Sequence, residues 1–526
     1  MNESLLVNKN TYMYPLTINH WLTQHARFRP NHLAFVFGDT RLTFAELNRS
    51  VNRMANALAA AGIGKGDKVA TVLPNSRELY ETFWAVAKLG AVLVPMSPMV
   101  RGRGLVNLLN DADSGLVLTD MAHAPFLDGV RSDFLIPTAN YWLTDGEQPG
   151  WQSYSVLWQA ASDTEPPAPD LVSEDLYNIM YSSGTTGLPK GIMHSHFVRA
   201  MYGSLFANAY RIRPESVIMH SGSIVFNGAM LTFMPAMFIG CTYVLLKEFS
   251  VQPVLRTLAS EEVTHTILVP TQLTACLQYP EFTINTLPTI EYILSVGSPL
   301  LSEQKEELIR RFPDTFYELY GLTEGFITVL DKTVSAQKTG SVGRPIWFSE
   351  MKIVNDDGQE LPAGEVGEII GRAPFMTSGY YKKPVQTVEA LRNGWLYTGD
   401  LGYVDEDGYL FLAGRKKDLI ISGGVNVYPK DIEEVIIRHP AVAEVAVFGI
   451  PHDDWGETPV AAVRLTAEAT VDELRNWTNT TIEARYQKIT AVMLVDEFPK
   501  NVAGKILKNE LRELYFEQLK KPSNYP

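Results

Sequence analysis

Tyr181-Ser182-Ser183-Gly184-Thr185-Thr186-Gly187-Leu188-Pro189-Lys190-Gly191 sets hydroxyl side chains, three glycines and one lysine in a span with almost no apolar side chains. Glycines let a backbone approach a ligand closely and adopt positive φ. Successive free N–H groups form an anion-binding concavity, to which Ser and Thr hydroxyls add donors and Lys190 adds one charge. That chemistry suits a polyphosphate. The nucleotide loop of pattern G-x-x-x-x-G-K-[ST] does not fit. Pro189 stands where its second Gly belongs, and Gly191 where its metal-binding hydroxyl belongs. A Ser/Gly linker fits poorly too, because linkers rarely finish on Pro-Lys-Gly between apolar segments.

Working outward, 526 residues are too many for one core and should divide into two or more domains. With 46% hydrophobic and 20% charged residues the material is ordinary and globular. A formal charge of −14 argues against a nucleic-acid or anionic-membrane surface, though not against a local basic pocket. Cys241 and Cys276 are the only cysteines and lack paired spacing, so neither a disulfide framework nor a zinc site is expected. A reducing cytoplasm fits best, and the N-terminus lacks the apolar core of a signal peptide. His220 to Leu246 carries no Asp, Glu, Lys or Arg and is long enough to span a bilayer. Pro235 and Gly240 interrupt it, so it reads as a buried helix followed by a buried strand, with no transmembrane segment. For assembly, a symmetric dimer is common at this size.

Read in order, Thr43-Phe-Ala-Glu46 is a capping box ahead of Leu47, Val51, Met54, Ala55 and Leu58 on one helical face. Lys68–Leu73, Arg77–Leu89 and Ala91–Pro95 read as strand, helix and strand, a βαβ unit with a parallel sheet. Strand patterns recur at Thr264–Pro270, Tyr292–Val296 and Thr315–Leu319. In such sheets ligands gather beyond the carboxyl ends of the strands. After about residue 340 the texture changes to hairpins, signalled by Asp357-Gly358 and Asp407-Gly408. Asp405-Glu-Asp-Gly408 lacks the ligand spacing of a calcium loop and reads as a turn. Beyond Asp418 a compact α+β unit follows: helix Pro429–Arg438, strand Val442–Phe448, helix Val471–Arg485 and strand Ala491–Val495.

Four further clusters carry chemistry. In Tyr320-Gly321-Leu-Thr323-Glu324 an aromatic ring can stack on a purine, a hydroxyl can bond a phosphate oxygen and a carboxylate can hold Mg²⁺. Trp395-Leu-Tyr-Thr-Gly-Asp400 ends a strand with a carboxylate able to accept both ribose hydroxyls. Ser422-Gly423-Gly424-Val-Asn426 reads as a tight turn. Pro499-Lys-Asn-Val-Ala-Gly-Lys505 is a loop whose glycine precedes a lysine. Each alone is also ordinary turn, cap or surface material. His194 and His196 flank the exit of the first stretch and, lacking a third ligand, read as structural or as supports behind the site residues.

Together these motifs resemble the adenylate-forming superfamily: acyl-CoA and aryl-CoA synthetases, carrier-protein adenylation domains and beetle luciferases. The resemblance spans roughly residues 20 to 515. It implies that Ser182, Ser183, Gly184, Thr185, Thr186, Gly187 and Lys190 bind ATP phosphates. It implies that Tyr320 and Gly321 lie at adenine, that Thr323 meets the α-phosphate and that Glu324 binds Mg²⁺. Val296-Gly297-Ser298-Pro299-Leu300 resembles the loop beside adenine and the acyl group; Asp400 and Arg415 resemble the ribose ligands. Lys417 falls on the family's hinge, Gly423 and Gly424 on its channel for the CoA pantetheine arm, and Lys505 on its adenylation lysine. Asp431 replaces the first Glu of the family's Pro-x-Glu-Ile-Glu, with little expected consequence near a helix N-terminus.

The expected architecture is α/β: a large N-terminal domain of parallel and mixed sheets with helices plus a β-rich subdomain (1–415), and a small mobile α+β C-terminal domain (416–526). The expected reaction joins a small carboxylic acid to coenzyme A through an acyl-AMP, using Mg²⁺ and ATP. The alternative is a stand-alone adenylating enzyme that hands the acyl group to a carrier protein or an amine. Catalysis would rest on Lys505, Thr323 and Glu324. For the acyl pocket the resemblance points to Phe226, Asn227, Met230, Val296 and Phe326. Where the family often has Leu-Phe-His, this chain has Val225-Phe226-Asn227, and the uncharged lining suggests a medium-chain, cyclic or aromatic acid.

Overall fold

The computed structural model describes residues 15–181, 189–298, 300–500 and 506–520. Among them the strands form four sheets. The first runs Gln152–Ser153, Tyr141–Leu143, Ser114–Thr119, Lys68–Val72, Val92–Met96, Leu176–Tyr181, Gly191–Ser195. Its strands are parallel except Gly191–Ser195, which runs antiparallel to Leu176–Tyr181. The second has nine strands, with Phe316–Gly321, Tyr292–Val296, His265–Ile267, Val217–His220, Thr242–Leu245 and Leu33–Phe37 parallel at its centre. Antiparallel strands close both its margins. A third, antiparallel sheet spans Glu350–Val354 to Leu410–Arg415, and a fourth spans Ile420–Ser422 to Ala491–Leu494.

Helices Phe44–Ala60, Arg77–Leu89, His196–Ala209 and Met230–Ile239 fill the space between the first two sheets. Their apolar residues share one buried cluster with Val69, Leu93 and Tyr177 of one sheet and Phe35, Tyr243 and Leu294 of the other. The two strand systems thereby share one core. The capping box is formed: Glu46 N donates to Thr43 Oγ1 at 3.3 Å and Thr43 N to Glu46 Oε2 at 2.9 Å. Leu47, Val51, Met54, Ala55 and Leu58 all lie fully buried on the expected face. Thr43→Ala removes one half of this box and should lower unfolding free energy by about 1 kcal/mol in a denaturant titration.

Helix Arg77–Leu89 has its expected bounds because both ends are signalled: Ser76 Oγ accepts from Leu79 N, and Gly90 closes in the left-handed region at φ 66°. The stretch expected as strand Thr264–Pro270 is shorter, His265–Ile267, because Pro270 opens helix Pro270–Leu277 at its first turn. Helix Val471–Thr481 stops four residues early, where Ile482 turns into the small sheet's core in extended conformation. The uncharged stretch is strand Val217–His220, a buried helix Met230–Ile239 with Pro235 inside it, and strand Thr242–Leu245. A helix apolar on all sides is a core helix here; among the described residues no helix is long and apolar enough to cross a membrane. Gly358 and Gly408 sit at the expected hairpin turns, and Lys338 pairs with Asp405 and Asp407 across the second of them.

Candidate active site

Residues Ser182, Ser183, Gly184, Thr185, Thr186 and Gly187 lie outside the described residues, but their frame does not. Tyr181 pairs with Gly191 across antiparallel strands, so residues 182–190 bridge a hairpin at the carboxyl end of Leu176–Tyr181. Lys190 Nζ lies 4.6 Å from the centre of the Tyr380 ring. Tyr380 belongs to a segment laid along the outer strand: Tyr381 N donates to Gly191 O at 2.7 Å, and Thr377 Oγ1 to Met193 O at 2.7 Å. The Tyr380 hydroxyl donates to Glu324 Oε1 at 2.8 Å. Burial and the Glu324 charge hold this phenol well above its ordinary pKa, so it stays a donor.

The lysine at the loop's exit and the carboxylate of Thr323-Glu324 thus meet through one aromatic ring. Thr323 and Glu324 follow the strand Phe316–Gly321 at its carboxyl end. The turn is pressed against a neighbouring segment: Thr377 N donates to Glu324 O at 2.7 Å, and a Cβ on Gly325 would lie 2.6 Å from Met376 Cα. Only glycine fits this approach, at φ 108°. Among the described residues no group of three His, Cys, Asp or Glu could hold a metal. One carboxylate with a neighbouring hydroxyl fits Mg²⁺, which keeps most of its shell from water and substrate phosphates.

A second cluster lies behind Tyr320. Its hydroxyl donates to Asp400 Oδ2 at 2.8 Å, and Arg415 Nε pairs with Asp400 Oδ1 at 3.0 Å. Asp400 and Arg415 are register partners on adjacent strands, which fixes the pair. Burial and the Asp400 charge hold the Tyr320 phenol well above its usual range. Gly297 and Ser298 are exposed just beyond strand Tyr292–Val296; Pro299 lies outside the described residues.

The acyl-wall candidates divide. Met230 is part of the buried cluster between the two large sheets, and the partly exposed Phe226 and Val296 pack against it. Phe326 is fully buried in a separate cluster of the antiparallel sheet, its ring filling the space a Cβ on Gly371 would need. Asn227 uses its amide inside the wall: Oδ1 accepts from Arg199 at 2.9 Å and Nδ2 donates to the Tyr202 hydroxyl at 3.1 Å.

Arg199 and Tyr380 are absent from the motifs read in the sequence. Arg199 had a signal, being the lone charged residue between Lys190 and Arg211. His194, fully buried, bridges Arg199 and Thr323: Nη2 of Arg199 lies 3.1 Å from Nδ1, and Nε2 lies 2.8 Å from Thr323 O. Arginine only donates and a carbonyl only accepts, so His194 is neutral with its proton on Nε2. Burial and the Arg199 charge keep its pKa far below the ordinary value. His196 is a core residue, pushed down to about 4 by burial.

Lys417 lies in a single 3-10 turn, Lys416–Asp418, between the third and fourth sheets. Its neighbour Lys416 pairs with Asp356 at 2.9 Å and Glu368 at 3.0 Å. Gly423 and Gly424 form the expected turn at φ 60° and 78°, in the small sheet and not in the Tyr320–Asp400 cluster. Gly423 packs against Trp455, where a Cβ would sit 2.8 Å from the indole. Lys505 lies outside the described residues, next to Ile506, which bridges to Lys500.

Known proteins resemble the chain over nearly its whole length. The sequence model described as AMP-binding enzyme matches residues 22–381, and that described as AMP-binding enzyme C-terminal domain matches 431–505. The long-chain-fatty-acid–CoA ligase FadD13 of Mycobacterium tuberculosis is 35% identical over 507 residues, covering 95% of this chain and 98% of the relative. The feruloyl-CoA synthase of an Amycolatopsis species is 33% identical over 512 residues, covering 95% and 99%. The solved structure of the o-succinylbenzoate CoA synthetase of Bacillus subtilis, in complex with its acyl-adenylate intermediate, aligns with a TM-score of 0.84 at 30% identity, covering 94% of this chain and 98% of that one. With both segments matched and relatives aligned from end to end, the chain belongs to the AMP-binding enzyme family.

Proposed function

We propose that the chain is an ATP-dependent carboxylate–CoA ligase whose chemistry runs where the carboxyl ends of its two large sheets meet. The observation that carries this reading is the chain of contacts Lys190, Tyr380, Glu324, with Tyr320, Asp400 and Arg415 beside it. A phosphate-side cation, a carboxylate and a ribose-side acid are there held by elements of three sheets. In the first step a carboxylate oxygen attacks the α-phosphorus of ATP, forming acyl-AMP and releasing pyrophosphate. In the second the CoA thiol attacks the acyl carbonyl, giving the thioester, with AMP as leaving group. No covalent link to the protein is needed, so positioning and fixed charge account for catalysis.

In this reading Tyr320 faces adenine, Asp400 accepts the ribose hydroxyls, and Arg415 holds Asp400 in place. Thr323 and Glu324 would hold Mg²⁺ and the α-phosphate, the ion supplying charge neutralisation when bound. We place the domain boundary after Arg415, with Lys417 as hinge and Gly423-Gly424 as pantetheine channel. Phe226, Met230 and Val296 support an apolar acid. A cytoplasmic location is supported by two free, buried cysteines in different core clusters. A symmetric dimer is proposed on chain size alone, to be tested by sedimentation.

A carboxylic-acid panel of short, medium, branched, benzoic and phenylpropenoic members with Mg-ATP, following pyrophosphate with and without CoA, tests the reading. One acid should release pyrophosphate and yield a CoA thioester. Pyrophosphate without a thioester would instead assign the acyl group to a carrier protein or an amine. Asp400→Ala should raise the KM for ATP by roughly tenfold or more, the loss of one or two charged hydrogen bonds, while the KM for the acid moves little.

A further inference from the structure

Among the described residues Arg199 is buried without a counter-ion. It is 0% exposed, and its three hydrogen bonds go to Asn178 Oδ1 at 2.8 Å, Asn227 Oδ1 at 2.9 Å and His194 Nδ1 at 3.1 Å. Its guanidinium carbon lies 4.8 Å from the centre of the Tyr202 ring. All four partners are neutral, and among the described residues no carboxylate pairs with it. Buried arginine is rare unless paired, because desolvating the ion is penalised by several kcal/mol. Burial lowers its pKa to about 10, which leaves it charged at neutral pH.

The position of this charge is informative. Asn227 belongs to the proposed acyl wall, and the amide of Asn227 is turned by Arg199 so that its oxygen faces the guanidinium. His194 carries the restraint to the carbonyl of Thr323, one residue from Glu324. Arg199 therefore links the acyl wall to the Thr-Glu turn in one network, from a helix that supplies no other charge.

We propose that Arg199 is a positioning residue for adenylation, whose uncompensated charge favours an acid bound as its carboxylate anion and holds Asn227 and Thr323 in register around it. The proposal rests on the site reading given above. The incoming carboxylate supplies the negative charge that no described side chain offers Arg199, so acid binding and relief of the buried cation are one event. Preorganised charge of this kind acts most strongly where water is excluded.

Asn227→Asp tests it, because the change is nearly isosteric and sets a counter-ion against Arg199. We expect an unchanged or higher Tm, a KM for the acid raised on the order of tenfold, the size of a charge contact in a poorly screened interior, and a KM for ATP within about twofold. Arg199→Met should lose adenylation on the order of 10²-fold, and Arg199→Lys should recover part of it. With synthetic acyl-AMP supplied, thioester formation by all three variants should fall far less than adenylation does. A folded Asn227→Asp protein with wild-type KM for the acid overturns the proposal, as does a parallel fall of both half-reactions. If Arg199→Met fails to fold, Asn227→Asp decides alone. Glu324→Gln, assayed alongside, separates the two levels: if it is inactive while Asn227→Asp is normal, only the role of Arg199 fails; if it is fully active, the site reading fails with it.

Discussion

Lys505→Ala should reduce pyrophosphate release on the order of 10²–10³-fold, the range seen when one preorganised transition-state donor is removed. Attack of a carboxylate on a phosphate ester brings anion to anion, and an ammonium at the transferring oxygens offsets that repulsion as charge shifts. A compact ammonium on a flexible stem suits the task better than a planar guanidinium, so Lys505→Arg should recover little. The second half-reaction makes no demand on ATP. Thioester formation from synthetic acyl-AMP and CoA should therefore survive the substitution within a few fold. Single-turnover measurement of both steps checks this, and a Lys505→Ala enzyme with normal pyrophosphate release would remove the residue from the mechanism.

The second large effect is on stability. Lys305 and Glu318, each almost wholly buried, form an ion pair at 2.5 Å beneath the strand that leads into Tyr320. Lys305 also donates to Thr339 O at 3.0 Å. Lys305→Met leaves a buried carboxylate alone and should lower unfolding free energy by about 3–5 kcal/mol at neutral pH. The sign of the pH dependence follows from Glu318. Burial already raises its pKa above the ordinary 4.5, with Lys305 opposing the shift. A raised acid is protonated in both states below 4.5, and stability falls as pH rises through its folded value. Removing Lys305 pushes that value higher, so the deficit should be small near pH 4.5 and grow towards neutrality. Paired thermal melts at the two pH values measure it.

The fold was legible wherever local signals and packing agreed. Ser76 and Gly90 bracket helix Arg77–Leu89 with cap chemistry that needs no tertiary information. Strand Tyr292–Val296 is a mostly apolar run buried through Ser295, and its bounds are those expected. Pro270 marks the limit: a proline after an apolar run ends a strand as readily as it opens a helix, and only the helix that follows decides. The site was legible as motifs but not as contacts. Tyr320 and Asp400 are 80 residues apart and bond directly, a pairing no spacing rule anticipates. Phe326 stands in the turn just ahead of strand Ile327–Leu330 and packs into the cluster of the antiparallel sheet, a tertiary contact that no local pattern announces. Arg199 could have been suspected from its isolation in an uncharged run; its lack of a counter-ion could not.

The pairing of Tyr181 with Gly191 has a consequence for how the sequence between them can change over time. Both ends of residues 182–190 are fastened by main-chain hydrogen bonds of a ladder, and the ladder is indifferent to what the intervening side chains are. The loop is thus a cassette. The register of the two strands is set by that ladder and asks nothing of the side chains between its ends. Substitutions at its base meet the opposite constraint: a Cβ on Gly191 would lie 2.8 Å from Ile179 Cγ2. The clasp is therefore closed to side chains on steric grounds, whatever chemistry its two ends enclose.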